Sequence, residues 1–396
     1  MIASTDSARR VPAFPRIMLI GLGDLGSAVL EFLAREPAAG PILAASRDAA
    51  RGERRVNLAR AGATAQGFTP SIRFACLDLD QPEELSELVA HEQPDIVLST
   101  ATRQTWWLPD LLPAEQAARL RRVRFGVWLP LHLGLTLQLM RGLRAAGYRG
   151  VTLTAPFPDV VNAVLDKMGL APDCGVGNVE EIATKIRLTA ARNLRQPVEN
   201  LRVTLVAHHA LVSRAFEGST GELPPYFLRV FCGDDDVTGI AGGEHLLRVP
   251  YPLPPGPAIN FLTAGCTVRL IRALCHETET PVHAPAPDGL PGGYPLLVSS
   301  QGIRLAPVAG LTYEEAVALN EASHRFDGIE RIQPDGTVIF CPEDAGILHA
   351  ALGYKCSSLK PEEADVRAGE LMAKLREFAK RAGVDLDQAW QAARLS

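Results

Sequence analysis

No stretch of this 396-residue chain stays apolar for long; every run is broken well short of about 18 positions, so no transmembrane helix is expected. The N-terminus has two arginines but no apolar core after them, so it does not read as a signal peptide, and Met1 to Pro15 reads as a loose tail. Excess positive charge is missing too. Forty Lys and Arg stand against 45 Asp and Glu, and a net charge of −5 gives no electrostatic case for nucleic acid. Cys76, Cys174, Cys232, Cys266, Cys275, Cys341 and Cys356 are scattered, with no C-x-x-C pair and no zinc-ligand spacing. No metal is therefore expected, and an odd, dispersed set fits buried thiols in a reducing cytoplasm. Internal repeats and low-complexity segments are absent. What remains, 47% hydrophobic and 21% charged residues, is ordinary for a soluble globular enzyme of two or three domains.

The chain is organised around Arg16-Ile-Met-Leu-Ile-Gly-Leu-Gly-Asp-Leu-Gly-Ser-Ala-Val-Leu30. A short apolar run, Ile17 to Ile20, meets Gly21, Gly23 and Gly26, and a helical pattern follows from Ser27 to Ala34. The spacing is G-x-G-x-x-G between strand and helix. Gly21 permits the tight turn, Gly23 lets a pyrophosphate approach the backbone, and Gly26 lets helix and strand pack closely. Leu22, Asp24 and Leu25 complete a turn whose helix N-terminus offers free N–H groups to an anion.

A second strand, Pro41 to Arg47, ends in Ser46-Arg47 with no carboxylate at its tip. An NAD site has an acidic residue there for the ribose hydroxyls, whereas a hydroxyl and a guanidinium suit a 2′-phosphate. Arg51, Arg54 and Arg55 follow. NADP is thus expected ahead of NAD; Asp48 and the reading of a solvated basic turn keep NAD open. Ile72 to Asp80 reads as a third strand, Gln81 to His91 as a helix, and Asp95 to Thr100 as a fourth strand. These are βαβ units of a doubly wound parallel sheet, with Asp78, Leu79, Thr100 and Ala101 bordering the cofactor crevice. Beyond it, Arg103 and the pair Trp106–Trp107 form either a substrate wall or packing against the next helix.

Helix is expected from Ala114 to Ala146 with a break at Pro130, then a strand from Val151 to Ala155 and helices from Asp159 to Met168 and Glu180 to Leu194. Leu201 to Ala210 alternates like a strand. Its more apolar face holds Val203, Leu205, Ala207 and His209; a register slip would exchange His209 for His208. Further helices are expected from Ile259 to Leu274 and Thr312 to His324, with a strand from Gly336 to Phe340. Proline-rich Pro250–Pro257 and Pro281–Pro295 read as loops. A last helix, Lys360 to Ala382, carries Ala368, Leu371, Leu375 and Phe378 on one face, suited to core or to a homodimer contact. The expected architecture is α/β: a tail (1–15), a Rossmann-type dinucleotide-binding domain (16–172), and an α+β substrate and dimerisation domain (173–396).

The order of elements from Arg16 to Ile332 resembles the lactate/malate dehydrogenase family. Thr154-Ala-Pro-Phe-Pro-Asp-Val160 resembles its proline turn with an aspartate, and Gly175-Val-Gly-Asn178 through Lys185-Ile-Arg187 its glycine turn and helix. Val206-Ala-His-His-Ala210 stands where the family has its catalytic histidine. The resemblance implies His209 as acid–base group, Glu181 or Glu180 as its orienting carboxylate, and Lys185 in the place of a substrate-clamping arginine. Pro156 replaces the turn's asparagine, and Arg103 followed by tryptophans replaces a loop with paired arginines. Over roughly the first hundred residues, Ser46–Arg47 and Leu77-Asp-Leu-Asp80 also resemble saccharopine- and opine-type reductases.

Hydride transfer needs a cofactor, a polarised C=O or C=N bond and a proton donor, and histidine titrates in the right range. His209, Glu181 and Lys185 are the expected catalytic set. Arg103, Trp107 and Arg187 are the expected substrate contacts. Three functions fit: an NADP-dependent dehydrogenase of a small oxo or hydroxy acid, an imine-reducing enzyme, and a nucleotide-binding protein without turnover.

Overall fold

Short apolar runs build the central sheet because parallel strands covered on both faces need no polar alternation. In the computed structural model, which describes residues 10–393, the strands are β1 (Ile17–Ile20), β2 (Ile42–Ser46), β3 (Ile72–Cys76), β4 (Ile96–Ser99), β5 (Val151–Thr154) and β6 (Cys174–Gly175). They pair in the order β3-β2-β1-β4-β5-β6, all parallel. The order reverses between β1 and β4, which opens a crevice at the carboxyl ends of the strands. The sheet runs past residue 172, and β3 stops at Cys76, so Asp78 and Leu79 belong to the loop after it. Of the expected loose tail, residues 1–9 lie outside the described residues; Val11 is buried and its N–H donates to the Ser300 carbonyl at 2.9 Å.

Around this sheet lie α1 (Asp24–Leu33), α2 (Ala49–Ala65), α3 (Pro82–Glu92), α4 (Ala114–Arg121), α5 (Pro130–Ala145) and α6 (Pro158–Lys167). Helix α1 starts at Asp24, three residues before the expected Ser27, because Gly23 itself is the N-cap. Pro130 starts α5, where its missing N–H has no partner to serve.

An antiparallel sheet follows: β7 (Leu201–Ala207), β8 (Tyr226–Cys232), β9 (Asp235–Asp236), β10 (Thr280–Pro285), β11 (Gly293–Ser299) and β12 (Gly302–Leu305). The stretch expected as a loop at Pro281–Pro295 therefore holds a strand and the start of another. Pro281 and Pro285 are tolerated there because β10 is an edge strand. The helices here are α7 (Val179–Leu194), α8 (Val212–Glu217), the single turns α9 (Thr238–Ala241) and α10 (His245–Arg248), α11 (Asn260–Leu274) and α12 (Tyr313–Ser323). Helix α11 joins the two sheets: Ala264, Val268 and Ile271 share one buried cluster with Leu30 and Leu33 of α1.

The last block, β13 (Ile329–Ile332), β14 (Val338–Phe340), α13 (Pro342–Leu352), β15 (Ser358–Leu359), α14 (Ala364–Arg381) and α15 (Leu386–Ala393), folds back over the half that holds the parallel sheet. Ala368, Leu371, Leu375 and Phe378 are buried with Leu133 and Leu137 of α5. The apolar face that would suit a dimer is thus covered within the chain. Among the described residues no helix is long and apolar enough to cross a membrane.

Candidate active site

A cavity of about 950 Å³ runs from the glycine turn to the C-terminal end of β7. At its start the three glycines differ in what surrounds them. Gly21 has φ +93°, and a Cβ there would come within 2.8 Å of the Ala101 nitrogen. A Cβ on Gly26 would lie 1.8 Å from the Gly21 carbonyl oxygen, so helix and turn could not approach. Around Gly23 a Cβ would meet nothing within 4 Å. That empty space, at a helix N-terminus with no side-chain cap, is the shape of a pyrophosphate cradle. Thr100 closes the turn by donating from Oγ1 to the Gly21 carbonyl at 2.7 Å. Leu22, Asp24, Leu25, Asp78, Leu79 and Ala101 border the same cavity, whereas Gly26 lies behind it.

The tip of β2 is basic. Ser46 and Arg47 line the cavity, and Asp48 is occupied as the N-cap of α2, accepting the Arg51 N–H at 3.0 Å. Arg51 lines the cavity as well, and its Nη2 is buried without a hydrogen-bond partner. Burial, with Arg55 adding to it, pulls its pKa below the ordinary value. A buried guanidinium nitrogen without a partner fits a phosphate ligand.

His209 stands at the far end. Strand β7 stops at Ala207, so neither His208 nor His209 occupies a strand position, and a turn of 3-10 helix at His209–Leu211 leads into α8. The His209 backbone N–H donates to Oδ1 of buried Asp159 at 2.8 Å, and Asn178 Nδ2 donates to the other Asp159 oxygen. Phe125 and Phe157 flank the imidazole, each with ring centroids 4.9 Å away. Phe157 and Asn178 hold φ of 47° and 43°, left-handed values that non-glycine residues keep only under pressure from their surroundings.

The carboxylate within hydrogen-bond reach of His209 Nδ1 is Asp327, not the expected Glu181 or Glu180. Asp327 is buried, and its Oδ2 lies 2.8 Å from His209 Nδ1 and 3.3 Å from His208 Nδ1. His208 Nδ1 already accepts the Ala210 N–H at 3.2 Å. The hydrogen bond to the Asp327 carboxylate is therefore donated by His209 Nδ1–H, which leaves His209 Nε2 as the other ring nitrogen. Burial alone would lower the His209 pKa; the charge and hydrogen bond of Asp327, together with the charges of Asp159 and Glu181, outweigh it and raise it to about 9. Burial resists charge on Asp327 as well, but His209 and His208 hold it well below the usual carboxylate range. The His209 side chain stays 22% exposed and lines the cavity.

Other expected site residues divide. Glu181 does line the cavity, but its partner is Thr263, whose Oγ1 donates at 2.6 Å. Burial raises its pKa to about 7, against Thr263 and His209, which lower it. A raised carboxylate pKa costs stability progressively as pH rises from 4.5 through about 7. Glu181→Gln should raise the thermal midpoint at pH 8 by roughly 2–4 °C per kcal/mol recovered and bring no gain at pH 4, read by thermal melts. Glu180 is turned away, its Oε2 accepting the His283 N–H at 2.7 Å.

Lys185 is not in the cavity. It is buried, 1% exposed, and donates from Nζ to the Leu246 carbonyl, with burial lowering its pKa to about 8. Arg187 also lies outside, near Arg269 and Glu180. Arg103 lines the cavity, yet it is bound by Asp80 at 2.6 Å and Asp365 at 2.7 Å. Trp107 is buried and donates from Nε1 to Asp24 at 3.0 Å; of the pair it is Trp106 that lines the cavity, as does Trp390 of α15. Asp327, Arg51 and Arg214, which also lines the cavity, are the residues that sequence reasoning did not place in the site. Only the basic run after Ser46 signalled any of them.

Comparison with protein-family models and with curated proteins finds no match. Comparison with solved structures does. Malate dehydrogenase from Cryptosporidium parvum superposes with a TM-score of 0.55 at 12% identity, covering 79% of this chain and 96% of that one. Lactate dehydrogenase from Eimeria maxima, solved with NADH and oxamate, gives 0.55 at 12% identity over 82% and 93%. Malate dehydrogenase from Plasmodium falciparum gives 0.54 at 12% identity over 90% and 99%. The chain has the fold of the lactate and malate dehydrogenases.

Proposed function

We propose that this chain is an NADP-dependent oxidoreductase that moves hydride to or from a small oxo or hydroxy acid, or a related carbonyl compound, with His209 as the acid–base group. The observation that carries this reading is the Asp327–His209 pair facing the same cavity as the glycine cradle. Gly21, Gly23 and the α1 N-terminus would hold the pyrophosphate. Ser46, Arg47 and Arg51 would hold the 2′-phosphate. The bound nicotinamide supplies or accepts the hydride.

His209 Nε2 gives a proton to the oxygen of a carbonyl being reduced, or takes it from a hydroxyl being oxidised. Asp327 keeps the Nδ1–H tautomer and stabilises the imidazolium. Phe125 and Phe157 hold the ring in place. One observation favours reduction of an imine as a second reading: Glu181, released from His209, places a second carboxyl near neutral pKa in the cavity, suited to an amine proton.

A titration with NADPH and NADH, read by nicotinamide fluorescence, tests the cofactor. NADPH is expected to bind more tightly, and Arg51→Ala should weaken it roughly 10- to 100-fold while changing NADH little. Preference for NADH in the unaltered protein overturns the NADP assignment. Oxo acids offered with and without amines then separate carbonyl from imine reduction.

A further inference from the structure

The cavity contains more arginine than it leaves unpaired. Arg103 is held by Asp80 and Asp365, Arg121 by Asp110 at 2.8 Å, and Arg124 by Asp344 and Glu343. Arg47 and Arg51 sit at the β2 tip, at the cofactor end. Arg214, on α8 five residues after His209, is different: among the described residues no carboxylate pairs with it, and it lines the cavity. Its Nη1 donates to the Ala210 carbonyl at 2.8 Å. Its guanidinium lies 5.7 Å from the centre of the Phe326 ring, next to Asp327. Arg214 is therefore positioned by the same two segments that position His209, with the rest of its planar fork uncommitted.

Asp327 has His209, Asp159 has the His209 N–H and Asn178, and Glu181 has Thr263; Glu217, three residues after Arg214 on α8, also borders the cavity but forms no ion pair with Arg214 among the described residues. The donors of the fork that Ala210 does not take match a carboxylate in two parallel hydrogen bonds. We propose that Arg214 binds the carboxylate of the substrate and so selects an acid over a neutral carbonyl compound. The assignment rests on the hydride-transfer reading above. It moves the clamp off α7, where Lys185 and Arg187 are expected, to the segment after the histidine.

The test uses Arg214→Gln and Arg214→Lys in the full chain, with thermal melts to establish folding, and two readouts. In the first, the NADPH-loaded protein is titrated with oxalate by calorimetry. The unaltered protein binds oxalate; Arg214→Gln binds it roughly 10- to 100-fold more weakly, and Arg214→Lys recovers part of the loss because a point charge replaces a fork. In the second, KM is compared for an oxo acid and for a matched diketone without the carboxylate. Arg214→Gln raises KM for the acid alone. Failure of the unaltered protein to bind oxalate, equal oxalate affinity in both proteins, or equal loss on acid and diketone overturns the proposal. Failure of the nucleotide titration overturns the underlying reading instead, and oxalate binding without nucleotide then tests Arg214 by itself under the same criteria.

Discussion

His209→Asn should lower kcat by roughly 100- to 10,000-fold, the range for loss of a positioned acid–base group, and leave nucleotide affinity unchanged. The loss follows from geometry: the His209 side chain lines the cavity, and its Nδ1 is fixed on a buried carboxylate. Asp327→Asn should lower kcat comparably, because the tautomer is no longer set and the imidazolium loses its counter-charge. The two variants differ in pH dependence. With the pKa raised to about 9, the unaltered protein keeps the protonated form for carbonyl reduction up to that pH, and its rate falls above it. In Asp327→Asn only desolvation and the weaker charges remain, so the break moves down from about 9. An unshifted break assigns the profile to another group.

The same pair has a sign in stability. His209 is raised, so its contribution is complete below pH 6.5 and is lost as pH rises through about 9. Asp327 is depressed, so the contribution holds above 3.8 and is lost as pH falls through its lowered folded-state pKa. Thermal melts of the unaltered protein and Asp327→Asn should therefore differ most between those limits and converge at high pH.

The second large effect separates two glycines three residues apart. Gly23→Ala has room for its methyl and a φ of −72° that alanine adopts freely, so it should fold normally. The methyl would stand where the pyrophosphate reaches the backbone, and affinity for NADPH should fall about 10- to 100-fold. Gly26→Ala puts its methyl 1.8 Å from a backbone oxygen that cannot rotate away. It should destabilise the fold by at least ~1–3 kcal/mol and lose nucleotide binding with it. Melting temperature and fluorescence titration measured on both variants check this. Undiminished NADPH binding in Gly23→Ala would remove the cradle as the cofactor site.

How much of this was legible depends on the distance over which each feature is decided. The βαβ units, the glycine turn and the basic β2 tip arise within short windows. Apolar runs, glycines that alone fit their turn and the absence of a carboxylate are local facts. The amphipathic stripe of α14 was visible as well, though not which surface would cover it. His209 was reached through the order of elements, although the strand assigned to it ends at Ala207.

Its partner was not legible. Asp327 lies 118 residues downstream in a turn with no periodicity or spacing to mark it. Lys185 occupied the expected place in the chain, but its direction was decided by the Leu246 carbonyl 61 residues away. Trp107 and Arg103 stood beside the cavity in sequence and were taken up by Asp24, Asp80 and Asp365. The sequence by itself determined where a dinucleotide could lie, because a backbone cradle is made of near neighbours. Which side chains surround the substrate was decided only by tertiary structure: buried charges take the partner that packing brings within about 3 Å, and packing joins residues that the chain keeps far apart.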